Sequence, residues 1–293
     1  MSMLLLSGKE VASHLYEQVT QQTKAFIAMG NPAPTLAVVL VGDDPASATY
    51  VANKAKACEQ VGFRHIDYHL PSDSSLEQVL DLVTRLNADS TVNGILVQLP
   101  LPDHIDSFRV TQAIDPTKDV DGLHQNNLGA LLVERPFLVS CTPLGILHLL
   151  DYYNLPTSGK NAVIIGRSTI VGKPMAALLA QKGRDATVTM CHSKTKDLAS
   201  ITKTADILVA AIGKPRAIDA SMVKKEAVVI DVGINRIADS SKKSGFRLVG
   251  DVDFEQVSPL CSAITPVPGG VGLLTVATLM GNTLLAAKQQ RRS

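Results

Sequence analysis

The sequence has no tryptophan, few aromatic residues and no excess of charge of either sign. Aromatic residues make up 4% of the 293 residues, too few for the stacking platforms that bind single-stranded nucleic acid. The 28 Lys and Arg residues nearly balance the 27 Asp and Glu residues, so the formal net charge is +1. This balance gives no reason to expect a nucleic acid or a membrane surface as a partner.

Cysteine is also scarce. The four cysteines form no Cys-x-x-Cys pair, and none lies at zinc-ligand spacing from a pair of histidines (Cys58, Cys141, Cys191 and Cys261). This pattern predicts reduced thiols and no metal site. The apolar residues 1–8 lack the basic segment and the cleavage pattern of a signal peptide, and we find no apolar run near transmembrane length. We therefore expect a soluble, cytoplasmic protein.

Short apolar runs alternate with amphipathic stretches in both halves of the chain. The runs predict strands at residues 36–41, 64–70, 94–99, 161–165, 186–190, 207–211 and 227–231. The stretches predict helices at residues 50–61, 75–87, 144–153, 174–181, 197–204 and 274–289. Continuous apolar strands that alternate with helices are typical of parallel sheets covered on both faces, so the expected fold class is α/β.

A boundary between two domains is predicted close to Ser140, just before a helix. It gives a first domain of residues 1–140 and a second domain of residues 141–273. A last helical segment, residues 274–293, follows a turn rich in Gly and Pro. The hydrophobic pattern alone leaves open which of the two domains this helix packs on.

A loop in the second half has the features of a dinucleotide-binding turn. Gly166 and Gly172 lie between a predicted buried strand and a helix, where a helix N-terminus attracts phosphate. The spacing is not G-x-G-x-x-G, so a tight turn without a ligand is an equally good interpretation of this loop alone. The next strand is followed by Ser193, with no carboxylate before Asp197. Because NAD enzymes place an acid there, Ser193 and Arg167 favour NADP.

Four polar residues in the first half are candidates for a substrate site. Tyr50 and Lys54 are four residues apart on a predicted helix and share a face, and Gln98 ends a buried strand. Asp121 lies in an acidic loop. Each residue alone fits a plainer interpretation, such as a core edge, a solvated face or a turn. Together, a phenol, an amine, an amide and a carboxylate suit a polar heterocyclic substrate.

Seven segments resemble the bifunctional methylenetetrahydrofolate dehydrogenase/cyclohydrolase family, in order along nearly the whole chain. They are Ala46–Lys54 with Lys56–Cys58, Gly94–Pro102, Lys118–Gly122, Cys141–Pro143, Gly166–Ser168 with Val171–Gly172, Asp231–Asn235, and Thr265–Gly272. The sequence departs from the family pattern at Leu273, where a proline is usual.

The resemblance implies a folate-binding α/β domain, a Rossmann-type NADP domain and a last helix that returns to the first domain. It implies a homodimer that oxidises methylenetetrahydrofolate with NADP and hydrolyses the methenyl product to 10-formyltetrahydrofolate. That chemistry belongs to the one-carbon metabolism that supplies purine, histidine and methionine biosynthesis. The alternatives are a monofunctional methylenetetrahydrofolate dehydrogenase, an enzyme similar to shikimate or amino-acid dehydrogenases, and a non-catalytic sensor of folate or NADP.

The resemblance also implies roles for individual residues. Lys54 is expected to catalyse the hydrolysis, Tyr50 to stack on the folate, and Gln98 to contact and tune Lys54. Asp121 is expected to bind the pterin ring. The expected cofactor contacts are Gly166, Arg167, Ser168, Gly172, Ser193 and Ile234, and the expected folate-side wall is Pro268 and Gly269.

Overall fold

The computed structural model describes residues 3–242 and 245–291, which form two compact units. We call residues 13–141 and 276–291 the amino-terminal unit, and residues 3–12 and 142–275 the central unit. The strands are β1 (Leu4–Leu5), β2 (Thr35–Val41), β3 (Arg64–Leu70), β4 (Gly94–Val97), β5 (Asn161–Ile165), β6 (Thr187–Cys191), β7 (Ile207–Ala210), β8 (Val228–Asp231), β9 (Asn235–Ala238), β10 (Phe246–Val249) and β11 (Ala263–Ile264).

The helices cover both units and confirm the predicted α/β class. They are α1 (Gly8–Ala28), α2 (Pro45–Val61), α3 (Leu76–Ala88), α4 (Ser107–Ala113), α5 (Gln125–Leu132), α6 (Cys141–Tyr152), α7 (Gly172–Ala180), α8 (Leu198–Thr202), α9 (Phe254–Val257) and α10 (Val271–Gln290). Two short 3₁₀ helices span Ala220–Met222 and Ser258–Leu260.

A three-stranded parallel sheet in the order β3-β2-β4 forms the centre of the amino-terminal unit. Every residue of β2 is buried, because helices cover both faces of this middle strand. Helix α3 begins at a capping box formed by Ser75 and Gln78, and helix α2 ends at Gly62, whose φ of 79° suits a left-handed cap. These local signals set where α2 ends, before β3, and where α3 begins, after β3.

The central unit contains a six-stranded parallel sheet in the order β1-β11-β8-β7-β5-β6, and β9 and β10 form a separate antiparallel hairpin. Strand β1 pairs with β11 in register Leu4 to Ala263. This pairing places residues 3–12 in the central unit, whereas the sequence analysis assigned all of residues 1–140 to the other domain. The difference arises from two backbone strands that lie more than 250 residues apart in sequence, a contact that periodicity does not register.

Helix α10 begins at Val271, three residues earlier than predicted, and from Val276 it belongs to the amino-terminal unit. Its side chains Leu279, Met280 and Leu284 pack in the same core cluster as Leu36 of β2. This confirms the predicted return of the last helix to the first domain.

By length and apolar composition, α10 is the one described helix that qualifies as a candidate membrane span. The expectation that no apolar run approaches that length was therefore wrong. Within the protein, 67% of the apolar window is buried, so packing against the core accounts for its composition.

Lys118 links the loop after α4 to the end of α3. Its buried amine donates hydrogen bonds to the carbonyl oxygens of Leu86, Asn87 and Asp89 at 3.2, 2.8 and 2.7 Å. The last carbonyls of a helix lack partners within the helix, and here a cation provides them.

We predict that Lys118→Met lowers the free energy of unfolding by roughly 3 kcal/mol, because it leaves buried carbonyls without a donor. Urea unfolding followed by circular dichroism measures the change. Lys24→Met, at an exposed position on α1 of the same unit, is the control and should change stability by less than about 0.5 kcal/mol. Equal effects of the two substitutions would contradict this role of Lys118.

Candidate active site

The side chain of Lys54 is buried. Helix α2 begins with Asp44 as its N-cap, whose carboxylate accepts the Ser47 N–H at 2.7 Å. Three turns of helix then carry Lys54 into the unit, where it is 7% exposed, while Tyr50 on the same face is 38% exposed. The Lys54 amine donates a hydrogen bond of 2.5 Å to Oε1 of Gln98.

Gln98 is oriented by the chain around it. It follows β4 directly, and its backbone N–H donates to the Val39 carbonyl at 2.8 Å, which continues the sheet. Its side-chain Nε2 donates to the Leu99 carbonyl at 2.6 Å. Because the amide nitrogen is engaged there, the amide oxygen is the atom that faces Lys54.

Asp121 completes this group from a third segment. Residue Asp119 forms a parallel bridge with Ile95 of β4, so the segment with Asp121 lies beside that strand. The carboxylate of Asp119 accepts the N–H of His124 at 2.7 Å and an amide N–H of Asn127 at 2.9 Å, which anchors the loop. Asp121 itself is partly exposed.

Burial and charge act in opposite directions on the two ionisable groups. Burial lowers the pKa of Lys54 below that of a free lysine, and the nearby Asp121 and Cys141 oppose part of this shift. Burial likewise raises the pKa of Asp121, which Lys54 partly offsets. Burial therefore moves the pKa values of both groups towards neutrality.

Cys141 is a member of the site that the sequence analysis did not assign to it. Its buried thiol donates to the carbonyl of Val120, the residue before Asp121, at 3.3 Å. Burial raises the pKa of Cys141 well above its usual value, so it is a neutral donor rather than a nucleophile. The segment Cys141–Pro143 that resembles the family was the only signal for it.

In the central unit, the predicted dinucleotide loop joins β5 to α7. Gly166 has a φ of 129°, and a Cβ there would lie 2.2 Å from the Ala211 carbonyl oxygen. A Cβ on Gly172 would lie 2.2 Å from the Gly166 carbonyl oxygen. The hydroxyl of Ser168 accepts the N–H of Val171 at 3.1 Å. Only glycine fits at both positions, and the tight loop brings the start of α7 close to the end of β5.

Ser193 and Arg167 lie at the same edge of the sheet. Strands β5 and β6 run parallel, and the Gly166 N–H donates to the Cys191 carbonyl at 2.9 Å. A turn after β6, in which the His192 N–H donates to the Thr195 hydroxyl at 2.9 Å, leaves Ser193 exposed. A hydroxyl and a guanidinium beside a helix N-terminus fit a nucleotide with a 2′-phosphate.

Two buried carboxylates organise the loops after β7 and β8. Asp231 accepts the N–H groups of Gly233, Asp251 and Val252 at 2.9 to 3.0 Å, and burial raises its pKa to about 6. Asp251 accepts three further backbone N–H groups, those of Ile212, Gly213 and Lys214. These bonds fix the loop that presents the exposed Ile234.

The remaining candidates, Pro268 and Gly269, also belong to the central unit. The Gly269 carbonyl accepts the N–H of Gly8 at 2.9 Å, and Pro268 is exposed. A Cβ on Gly272 would lie 2.9 Å from Cδ1 of Ile234, so the start of α10 and the Ile234 loop are in close contact. The contacts of these residues with folate and nicotinamide stay predictions, as do the ligand contacts of Tyr50.

No group of three or more His, Cys, Asp and Glu side chains is arranged to hold a metal ion within residues 3–242 and 245–291. The described residues instead provide an amine, an amide and a carboxylate in one unit and a phosphate-binding loop in the other. The class defined by this fold and these groups is a dinucleotide-dependent α/β enzyme with a buried lysine at its substrate site.

The chain belongs to the tetrahydrofolate dehydrogenase/cyclohydrolase family. The model of the family's catalytic domain matches residues 6–121, and that of its NAD(P)-binding domain matches residues 140–291. The chain is 54% identical over 286 residues to the bifunctional protein FolD of Chlorobium phaeobacteroides, covering 96% of this chain and 97% of the relative.

Solved structures of bifunctional enzymes are similar over almost the whole chain. The Campylobacter jejuni FolD dehydrogenase/cyclohydrolase is 46% identical with a TM-score of 0.92, covering 98% of this chain and 99% of that one. The Trypanosoma brucei enzyme, solved with NADP cofactor and inhibitor, is 38% identical with a TM-score of 0.95, covering 100% of both chains. These findings confirm the predicted family, its two activities and NADP as the cofactor.

We predict that Gly172→Ala raises the KM for NADP at least tenfold, because the added methyl meets backbone atoms that must shift. The KM for the folate should change less than twofold. Gly129→Ala, in helix α5 with no atom within 4 Å of the new methyl, is the control and should leave both constants unchanged. Steady-state kinetics of the unmodified enzyme and the two variants measures both KM values. An unchanged KM for NADP in Gly172→Ala would show that the loop does not hold the dinucleotide.

Proposed function

We propose that Lys54 is the proton acceptor of the hydrolysis step, held in place by Gln98 and influenced by the charge of Asp121. The observation that carries this proposal is the buried amine with its 2.5 Å hydrogen bond to a neutral amide. A neutral partner orients the amine without adding a charge that would raise its pKa. A lysine whose pKa is lowered by burial is the kind of side chain that serves as a general base near neutral pH.

In the hydrolysis, water adds to the cationic methenyl carbon of the folate. As the new C–O bond forms, the neutral amine of Lys54 accepts a proton from the water. The remaining O–H proton of the adduct then moves to the ring nitrogen as the C–N bond to that nitrogen breaks and the C=O bond forms, which leaves 10-formyltetrahydrofolate and the protonated amine of Lys54. Asp121 accepts N–H groups from the pterin edge, and Tyr50 stacks on the ring.

The oxidation requires alignment rather than a strong base. NADP bound at the loop after β5 would supply the acceptor for the hydride that leaves the methylene carbon of the folate. Gly166 and Gly172 allow the phosphates to approach the backbone of the loop that contains Ser168, and Arg167 and Ser193 bind the 2′-phosphate. Ile234, which the buried Asp231 and Asp251 hold in place, forms the wall beside the nicotinamide. Pro268 and Gly269 form the wall beside the folate.

We further propose a cytoplasmic homodimer in which the amino-terminal unit binds folate and the central unit binds NADP. The family resemblance supports the dimer. The proposed place in metabolism is the supply of one-carbon units to purine, histidine and methionine biosynthesis. A monofunctional dehydrogenase is not favoured, because the relatives are bifunctional and Lys54 and Gln98 are both present.

Replacing Lys54 tests the proposal directly. We expect Lys54→Met to lower cyclohydrolase kcat at least 100-fold, since it removes the proton acceptor, while the dehydrogenase reaction stays measurable. Absorbance at the methenyl band follows both steps. Lys56→Met, at an exposed position of the same helix, is the matched control and should keep both activities. Hydrolysis at the unmodified rate in Lys54→Met would overturn the proposal.

The choice of cofactor is tested at Arg167. We expect Arg167→Ala to raise the KM for NADP about tenfold or more, because it removes a charged partner of the 2′-phosphate, and to change the KM for NAD little. Parallel assays with the two cofactors measure the ratio. Lys182→Ala, exposed beyond the end of α7, is the control. Equal changes in the two KM values would contradict the contact between Arg167 and the 2′-phosphate.

A further inference from the structure

Asn282 is a polar residue on an otherwise apolar face of α10. Its side chain is 4% exposed, and its neighbours Leu279, Met280 and Leu284 pack in the core of the amino-terminal unit. Burying an amide costs free energy unless its hydrogen bonds are replaced. The partners of Asn282 therefore show what the residue contributes at this position.

The amide nitrogen of Asn282 is bonded to two different loops. Its Nδ2 donates to the carbonyl of Val120 at 2.8 Å and to the carbonyl of Val139 at 2.8 Å. The Cys141 sulfur lies 3.5 Å from the same nitrogen. Val120 immediately precedes Asp121, so one N–H of Asn282 holds the backbone that carries the active-site carboxylate and the other holds the neighbouring loop at Val139.

The two loops are themselves packed backbone to backbone. A Cβ on Gly122 would lie 2.4 Å from the Ser140 nitrogen, so no side chain fits between them. The Ser140 hydroxyl donates to the Gly122 carbonyl at 3.0 Å, and the Cys141 thiol donates to the Val120 carbonyl at 3.3 Å. Loops 120–122 and 139–141 thus form one layer, and Asn282 binds this layer from the α10 side.

Helix α10 is a firm support for this contact because its far end is fixed to the same unit. Gln290 exchanges two hydrogen bonds with Asn93, at 2.8 and 3.0 Å. Lys288 donates to the Gln22 side chain at 2.8 Å. A displacement of the Asp121 loop would therefore break the bonds to Asn282 rather than carry the helix with it.

We propose that Asn282 is a positioning residue of the hydrolysis site, which sets the place of the Asp121 carboxylate relative to the Lys54 amine. The proposal rests on the proposed function of Lys54 and Asp121. Asn282 itself touches neither reacting atom; it acts through the backbone of Val120 and Val139 and through Cys141.

The consequence for ionisation has a definite sign. In the described residues, Asp121 and Cys141 are the titratable groups that act on Lys54, and Asp119, Cys141 and Lys54 act on Asp121. The charge of Asp121 raises the pKa of Lys54 against the effect of burial. If the loop moves away, the pKa of Lys54 falls further. The acidic limb of the cyclohydrolase pH profile, where the amine becomes protonated, then shifts to lower pH.

The test replaces Asn282 by leucine, which has a similar size and no N–H group. We expect the acidic limb to shift to lower pH by about half a unit or more, and the folate KM to rise about fivefold or more, because the carboxylate is misplaced. The KM for NADP should stay within about twofold of its original value. Asn282→Ser keeps one donor, should give smaller shifts, and serves if the leucine variant does not fold.

Thr283→Val is the matched control. Thr283 is adjacent and fully buried, but its hydroxyl donates only to the Leu279 carbonyl of its own helix, at 2.8 Å. We expect Thr283→Val to lower the thermal stability without shifting the acidic limb of the cyclohydrolase pH profile or the folate KM. If the Asn282 variants behave in the same way, Asn282 is a structural residue only and the proposal is overturned.

A double-mutant cycle separates this proposal from the proposed function. Asp121→Asn should itself shift the acidic limb to lower pH, and adding Asn282→Leu should then shift it much less than Asn282→Leu does alone. Full additivity of the two shifts would contradict an action through Asp121. Unimpaired hydrolysis by Lys54→Met would instead overturn the proposed function. If Lys54→Met loses hydrolysis but the acidic limb of Asn282→Leu stays where it is in the unmodified enzyme, only the role of Asn282 is overturned.

Discussion

The amine of Lys54, taken out of water and bonded to a neutral amide, is the interaction on which the amino-terminal unit depends. A buried ammonium is costly, so the amine is displaced towards its neutral form, and one carboxylate nearby limits that displacement. The balance requires three segments to keep their distances: helix α2, the end of β4 and the loop of Asp121. Helix α2 is capped by the Asp44 carboxylate, the end of β4 is held by a backbone hydrogen bond to Val39, and the Asp121 segment forms a bridge to Ile95 of β4.

The two units place their functional groups in similar positions and fix their loops in similar ways, although the groups themselves differ. In both, the functional groups lie at the carboxyl ends of parallel strands, where the loops diverge and leave room for a ligand. In both, close backbone contacts at glycine fix the loops, at Gly122 in the amino-terminal unit and at Gly166 and Gly172 in the central unit. Buried carboxylates also accept hydrogen bonds from backbone N–H groups of these loops. Asp119 does so in the amino-terminal unit, and Asp231 and Asp251 do so in the central unit. The result is rigid backbone around a few adjustable side chains, which suits reactions that depend on alignment.

Much of this arrangement is accessible from sequence, because it follows local periodicity. Strands β3 and β5 have the predicted bounds, since each is a short run closed by turn residues. Helix α2 begins five residues before its predicted start, because its first turn consists of small residues without a hydrophobic period and the signals there are Asp44 and Pro45. Helix α1 was not predicted at all. Pairing of β1 with β11, and hence the domain of residues 3–12, depends on a contact between the two ends of the chain.

The same division applies to the site. Lys54, Gln98 and Asp121 stand in motifs that resemble the family, and the structure brings them together. The structural roles of Cys141 and Asn282 cannot be inferred from local sequence, because their partners are far away in sequence, as the contact between Asn282 and Val120 shows. Residues that take part in catalysis or ligand binding can thus be found from motifs and spacing, whereas residues that hold them in place are found only from the fold.

The most direct test of the account is the ionisation of Lys54 itself. Titration of the protein labelled with ¹³C at the lysine Cε carbons, with the Lys54 signal assigned by its loss in Lys54→Met, measures that pKa in the free enzyme. A midpoint clearly below the ordinary lysine value of about 10.4 is the predicted result. A midpoint at or above that value would contradict it, because the amine would then be a permanent cation in the site and could not accept a proton from water.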